Sequence, residues 1–358
     1  MSEANTTPSL VVGIDLGDRR SQLVVLDGTS GEVLEESTLA TTIKGFEARF
    51  GRGDPARIAF EAGTHSRWIR ELLRGFGHEV IVADPRKVRL ISTSDSKNDK
   101  NDAMRLALLA RADPRLLHPI QHRGPEAQTA LAVLRARDQA VKMRTLLVNH
   151  MRGMVKAFGR RLPSCSAASF HKSARDHVPR ELVPALSSLF DVLAALAVAI
   201  KAYDAKVKAL ATEEFPETGA LQQVAGVGPL TALAFVLTLE SPHRFANGRV
   251  VGAFVGLVPR QKESGTRSPQ LGITKAGDSY LRKLLVGSAH YVLGPFGPDC
   301  DLRRWGERLC ARGGKNGKKR AVVAVARKLA VLLHKLWLTG EVYEPLRNAQ
   351  KHAVAVTA

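Results

Sequence analysis

Between residues 10 and 84 the chain passes through five short apolar stretches, each too short to be a helix of ordinary length. They are LVVGIDLG (10–17), QLVVLD (22–27), EVLEESTLA (32–40), RIAFEA (57–62) and HEVIVAD (78–84), and runs of four to eight residues bounded by turn signals read as strands. The first three are separated only by turn residues, which predicts sequential antiparallel strands; the third alternates less cleanly. Helical patches are expected over 44–50 and 66–76. A further helix starts near Asp99, with Ala103, Leu106, Ala107 and Ala110 on one face.

Three strands followed by helix, strand, helix, strand, helix is the order of the ribonuclease H fold. That order puts the first strand at the centre, the fourth beside it and the last helix across both. It gives meaning to four carboxylates. Asp15 ends the first apolar run, between Gly13 and Gly17, and an acid there is costly to bury unpaired. Glu61 ends the fourth. Asp99 and Asp102 sit three apart at the start of the last helix and so share a face. Together they predict a phosphoryl-transfer site, in which clustered hard oxygens hold two Mg²⁺ about 3.5–4 Å apart. Taken singly, Asp99 and Asp102 are also ordinary first-turn carboxylates, and Glu61 an ordinary strand end. GIDLG also opens the phosphate strand of actin-like ATPases and sugar kinases. Those need a second strand-turn of the DxGGG kind and an adenosine-binding glycine pair, and neither follows.

The middle of the chain reads as helical. Residues 125–159 form one long segment, with Leu134, Val141, Val148 and Val155 at seven-residue steps, joined by Met151 and Phe158. After a Ser- and His-containing break, Leu182, Leu186, Leu189, Leu193, Leu196, Ile200, Tyr203, Val207 and Leu210 alternate by four and three. That is a coiled-coil seam, whose partner is either another protomer or the first segment, folded back as an internal hairpin. VAGVGPLTALAFVLTL (224–239) resembles one helix-hairpin-helix unit, with Gly226 and Gly228 opening a helix toward an anion. Charge is uneven along the chain. Residues 1–120 carry 17 Lys and Arg against 17 Asp and Glu, whereas residues 241–358 carry 21 against 7. A formal charge of +19 points to a polyanion, most often nucleic acid. The basic run GGKNGKKR contributes Lys315, Lys318, Lys319 and Arg320 to that surface. Three scattered cysteines lack metal-ligand spacing and fit a reducing cytoplasm. No secretory signal opens the chain, and no membrane partner is expected.

With these residues in view, the sequence resembles the DEDD transposases of bacterial insertion sequences, the family numbered one hundred and ten, also called bridge-RNA-guided or seekRNA-guided recombinases. The resemblance covers nearly the whole chain through motifs in a fixed order: the D-E-D-D set, then VAGVGPLTA (224–232), GLVPR (256–260), ESG (263–265) and TKAGDSYLR (274–282). It implies a RuvC-like domain (1–120), a coiled-coil oligomerisation region (121–215), a mostly helical C-terminal transposase domain (216–345) and a tail (346–358) with no matching motif. It further implies Mg²⁺ on Asp15, Glu61, Asp99 and Asp102, and Ser264 as the nucleophile that forms a covalent phosphoserine link to DNA. Target and donor DNA, a structured non-coding guide RNA pairing with both, and a dimer-to-tetramer assembly with composite sites are the implied partners, in a bacterial cytoplasm at the nucleoid. Arg260, Lys262, Arg267, Lys275 and Arg282 surround the serine motif and are candidates for phosphate contact. Two other readings stay open: a junction resolvase that uses water and never needs Ser264, and a nucleic-acid-binding scaffold whose acids are structural.

Overall fold

The computed structural model describes residues 8–91, 99–262 and 271–348. The chain divides into two compact units, residues 1–122 and 123–358.

In the first unit the alternation of the apolar runs becomes a five-stranded sheet in the order β3-β2-β1-β4-β5. Its strands are β1 (Leu10–Asp15), β2 (Arg20–Asp27), β3 (Val33–Ala40), β4 (Arg57–Glu61) and β5 (Glu79–Ala83). β1, β2 and β3 form an antiparallel meander, and β4 and β5 run parallel to β1. This mixed α/β arrangement is compatible with a ribonuclease H-like domain. Period-two alternation divides the apolar side chains between two faces. Val12, Ile14, Leu23, Ile58 and Phe60 pack beneath α1 (Ile43–Phe50) and α2 (Ser66–Gly75). Val11, Val24, Leu26, Ala59 and Ile81 take the other face. The uneven pattern of β3 has a simple cause: it is an edge strand, and Val33 and Leu34 lie exposed.

β5 is followed by α3 (Pro85–Ile91), a helix the sequence reading did not anticipate, and then by α4 (Asp99–Ala112). Ala103, Leu106, Ala107 and Ala110 are all buried against the second face of the sheet, as their spacing predicted. Gly13 lets that helix approach, because a Cβ there would lie 2.0 Å from Ala103 O. The far end of α4 is tied down by Arg111, which donates to Gly28 O (3.1 Å) and Thr29 O (2.6 Å), and by Arg57, which donates to Ala110 O (3.2 Å). With Gly28 beside the start of β1, α4 runs antiparallel to β1 and begins at the end where β1 and β4 finish.

The second unit is helical. α5 (Pro125–Ala157) leads through α6 (Phe170–Ser173) to α7 (Val183–Ala209). Leu186, Leu193, Ile200 and Val207 are buried, and α5 and α7 form an antiparallel hairpin inside the chain, marked by Arg137 on Asp204 (2.5 Å). Val148, Met151 and Val155 of α5 meet Leu182, Leu186 and Leu193, while Phe158 lies exposed. With its flanking turns α7 spans Arg180–Glu214 and is long and apolar enough to cross a membrane, but its seam faces α5. The remaining helices are α8 (Thr218–Gln222), α9 (Pro229–Leu239), α10 (Gly248–Phe254), α11 (Ser279–Leu293), α12 (Asp301–Ala311) and α13 (Gly317–Thr339). α9 is apolar all round because it is surrounded: every residue from Thr231 to Leu239 is buried.

Candidate functional site

The parallel register pairs Ile14 with Phe60, so the residues that follow, Asp15 and Glu61, finish neighbouring strands side by side. Both are half-buried. α4 starts at the same end. Asp99 opens it, its side chain lying outside the described residues. Asp102 is half-buried, with Oδ1 accepting from Arg105 Nη1 at 3.1 Å. The fold therefore brings three of the predicted acids, Asp15, Glu61 and Asp102, to one end of the sheet and places the backbone of the fourth there. Among the described residues no group of three or more acids, histidines or cysteines stands close enough together to hold a metal ion. The donor chemistry of these acids is that of a hard divalent cation, because each of them offers carboxylate oxygens.

Two groups on the same rim were not singled out from the sequence. His65, on the loop after β4, places Nε2 3.5 Å from Asp18 Oδ1, and its Nδ1 accepts from Trp68 Nε1 (3.2 Å). Asp18 is an exposed residue of the β1–β2 turn, and nothing in its sequence neighbourhood distinguishes it. Asp84, just past β5, caps α3 by accepting from Arg86 N at 3.0 Å. An acid thus follows or ends each of the three parallel strands.

In the second unit, the described residues on either side of 263–270 are pinched together. Pro259 bridges to Ile273, Arg260 N donates to Gly272 O (3.0 Å) and Lys275 N to Gly256 O (3.1 Å). Gly256 and Gly277 have positive φ, and a Cβ on Gly277 would lie 1.9 Å from Phe254 O, so only glycine fits this crossing. Ser264 and Arg267 lie outside the described residues. Arg260, Lys262 and Lys275 are exposed. Arg282 turns inward instead, and its Nη1 donates to Val255 O (3.0 Å) and Ala276 O (2.7 Å), holding the two sides together.

That pinch is anchored to α5. Asp278 caps α11 by accepting from Tyr280 N and Leu281 N, and it receives Arg135 Nη2 at 2.5 Å and Arg123 Nη2 at 3.9 Å. Burial pushes the Arg123 guanidinium down, against the pull of Asp278 and Glu240. Asp138 is buried, which opposes its charged form, yet Lys142 (2.8 Å) and Lys283 (2.7 Å) outweigh burial and hold its carboxyl below the usual range. Burial, helped by Asp138, raises the Tyr280 phenol.

Gly226 and Gly228 differ. Gly226 has φ +81 and packs against α11, where a Cβ would meet Tyr291 Cδ1 at 2.9 Å; Gly228 is exposed and caps α9 without a side chain. Lys315, Lys318, Lys319 and Arg320 are all exposed where α13 begins, around Asn316 in the left-handed region.

Residues 219–299 match the model of the Transposase IS116/IS110/IS902 family, and residues 12–159 match a transposase model, DEDD_Tnp_IS110. The chain is 33% identical to the transposase for insertion sequence element IS1111A of Coxiella burnetii, over 80% of this chain and 79% of that one. It is 29% identical to a probable family 20 transposase of Pseudomonas aeruginosa, over 93% and 98% of the two chains. It is 28% identical to the transposase for insertion sequence element IS1328 of Yersinia enterocolitica, over 79% and 84%.

Proposed function

The chain belongs to the IS116/IS110/IS902 family of insertion-sequence transposases, and from that premise we propose a division of labour between its two units. It is a DNA transposase, an enzyme that cleaves and rejoins DNA, and DEDD-type domains typically work with divalent metal ions. In this reading Asp15, Glu61, Asp99 and Asp102 hold Mg²⁺. The observation that carries it is the side-by-side finish of β1 and β4, with α4 starting at the same end. When bound, the metal neutralises charge on the scissile phosphate. Arg105 holds Asp102 through Oδ1, and the second carboxylate oxygen could ligate the metal with that ion pair intact.

Ser264 supplies the nucleophile. Its hydroxyl loses a proton and attacks phosphorus, a serine–phosphate ester forms as a DNA hydroxyl leaves, and reversal onto a second strand end completes the exchange. The exposed cations at Arg260, Lys262 and Lys275, and those from Lys315 to Arg320, hold DNA phosphates in a sequence-independent way. A guide RNA that pairs with target and donor supplies sequence selection, and the active assembly is a homo-oligomer of two to four chains. The test is a suicide DNA substrate in Mg²⁺. Wild type should give a covalent adduct on the peptide containing 261–266, absent with Ser264→Ala and with Asp15→Asn. Metal-dependent cleavage that survives Ser264→Ala without any adduct would replace this mechanism with hydrolysis by water.

A further inference from the structure

The segment after α13, for which the sequence offered no motif, forms the wall of a groove between α12 and α13. Asp301 N donates to Pro345 O (2.7 Å), and Asp301 Oδ2 accepts from Asn348 N (2.7 Å). Tyr343 N donates to Gln223 Oε1 (2.9 Å), and burial together with Cys300 pushes its phenol up. The half-open groove has a volume of about 500 Å³, within the ~300–1,000 Å³ of sites that take small organic groups. Trp305, Val331 and Leu332 line it together with Arg308 and Lys328.

The cations of this groove fall into two sets. Arg304 is held by Asp299 (2.6 Å), while Lys335 (3.0 Å) and Arg347 (2.8 Å) share Glu341. Arg308 and Lys328 have no carboxylate partner among the described residues. Lys328 Nζ stands 4.3 Å from the centroid of the Trp305 ring, a cation–π contact. Burial, then Arg308, presses its ammonium toward the neutral form, and Asp301 alone opposes them. Asp301 already accepts from Asn348. Two like charges, one of them over an aromatic ring, are complementary to one anion attached to a flat apolar group.

We propose that this groove binds one unpaired nucleotide of a single-stranded nucleic acid, its phosphate drawing Lys328 off the Trp305 ring toward Arg308 and its base taking the place on Trp305 that Lys328 Nζ now holds. A paired base stays in its stack and cannot enter the groove. A backbone phosphate alone has no use for the aromatic ring. Stacking plus a cationic track is how proteins hold single strands without reading sequence. The proposal uses none of the four acids, not Ser264 and no metal, so it stands or falls separately from the strand-exchange mechanism.

The experiment uses the full-length protein without divalent metal. Binding of fluorescent oligothymidylate, oligouridylate and a short duplex is measured by anisotropy over a range of salt. Trp305→Ala should weaken single-strand binding roughly 5- to 150-fold, the loss expected for one stacked base. Arg308→Gln with Lys328→Gln, both exposed, should flatten the salt slope by about 0.7 for one phosphate, while duplex affinity stays within about twofold. Photocrosslinking of a bromouracil strand should mark the peptide containing Trp305. Tighter binding of one oligonucleotide type identifies the strand, RNA or DNA, that occupies the groove. The proposal is overturned if the double variant binds single strands as wild type does, if it loses duplex affinity equally, or if the crosslink maps elsewhere. Inorganic phosphate competing as well as adenosine monophosphate would also overturn it, since no base would then be recognised.

Discussion

Replacing Gly13 by Ala should disable the first unit. The added Cβ would lie 2.0 Å from Ala103 O, 2.6 Å from Ala107 N and 3.0 Å from Ala107 Cβ. Ordinary contact begins near ~3.5 Å, and the first two obstacles are helix backbone, which cannot rotate away. α4 must therefore withdraw from β1, loosening Ala103, Leu106, Ala107 and Ala110 from the sheet. Overpacking of this kind costs about 3 kcal/mol, or roughly 10 °C in the melting temperature of a unit this size. The same withdrawal carries Asp99 and Asp102 away from Asp15 and Glu61, so DNA cleavage should fall even at temperatures where the protein is folded. The assay is a calorimetric melt of the full chain beside a cleavage assay at 20–25 °C or so, with Gly53→Ala as control because nothing lies within 4 Å of its added Cβ. A Gly13→Ala protein that melts with wild type and cleaves at the wild-type rate would refute the seating of α4 on β1.

Leu193→Lys with Ile200→Lys puts two charges into the α5–α7 hairpin, where both residues are buried. It should cost more than about 4 kcal/mol and reduce helical circular dichroism; a fully helical protein that merely dissociates would return the seam to another protomer. Asp138→Asn should remove about 1–2 kcal/mol at neutral pH, because Lys142 and Lys283 lose a charge partner but stay largely solvated. The sign follows from a carboxyl held low in the folded state: its stabilisation is present above the usual carboxylate range and is lost as pH falls through that lowered value. Wild type and variant should therefore converge in acid, and a gap that widens as pH falls would contradict the pairing. Arg282→Met removes the donor to Val255 O and Ala276 O. It should lower stability by about 1–2 kcal/mol and strand exchange with it, whereas a variant that keeps its stability and loses only DNA affinity would make Arg282 a phosphate contact.

The strands were legible because alternation on a two-sided sheet leaves a direct mark in sequence, and the face of α4 was legible for the same reason at helical period. Asp15 and Glu61 could be placed because strand ends follow from strand order. The seam of α7 was equally plain, but heptads state that a face is covered and not by what; the partner is α5. α3 escaped because its apolar face is short, although Asp84 and Pro85 are a helix-start pair. α12 escaped because DLRRWGERLCA reads as charge, and Gly306 reads as a breaker. In the fold that glycine permits close packing, since a Cβ would meet Val325 Cγ2 at 2.6 Å. Arg282 looked like its neighbours Arg260 and Lys275, and only its bonds to Val255 O and Ala276 O show that it faces inward. The cavity beside Trp305 depends on a backbone segment folding back from residue 341, which no local pattern records.

The proposed metal centre at the finish of β1 and β4 is read directly by local oxidative cleavage. Fe²⁺ takes the place of Mg²⁺ in the full-length protein, ascorbate and peroxide are added, and the cut peptides are mapped by mass spectrometry. Cuts are expected near Asp15, near Glu61 and in the first turn of α4, suppressed by excess Mg²⁺ and lost in Asp15→Asn. Cuts confined to other segments, or unchanged by Asp15→Asn, would contradict it.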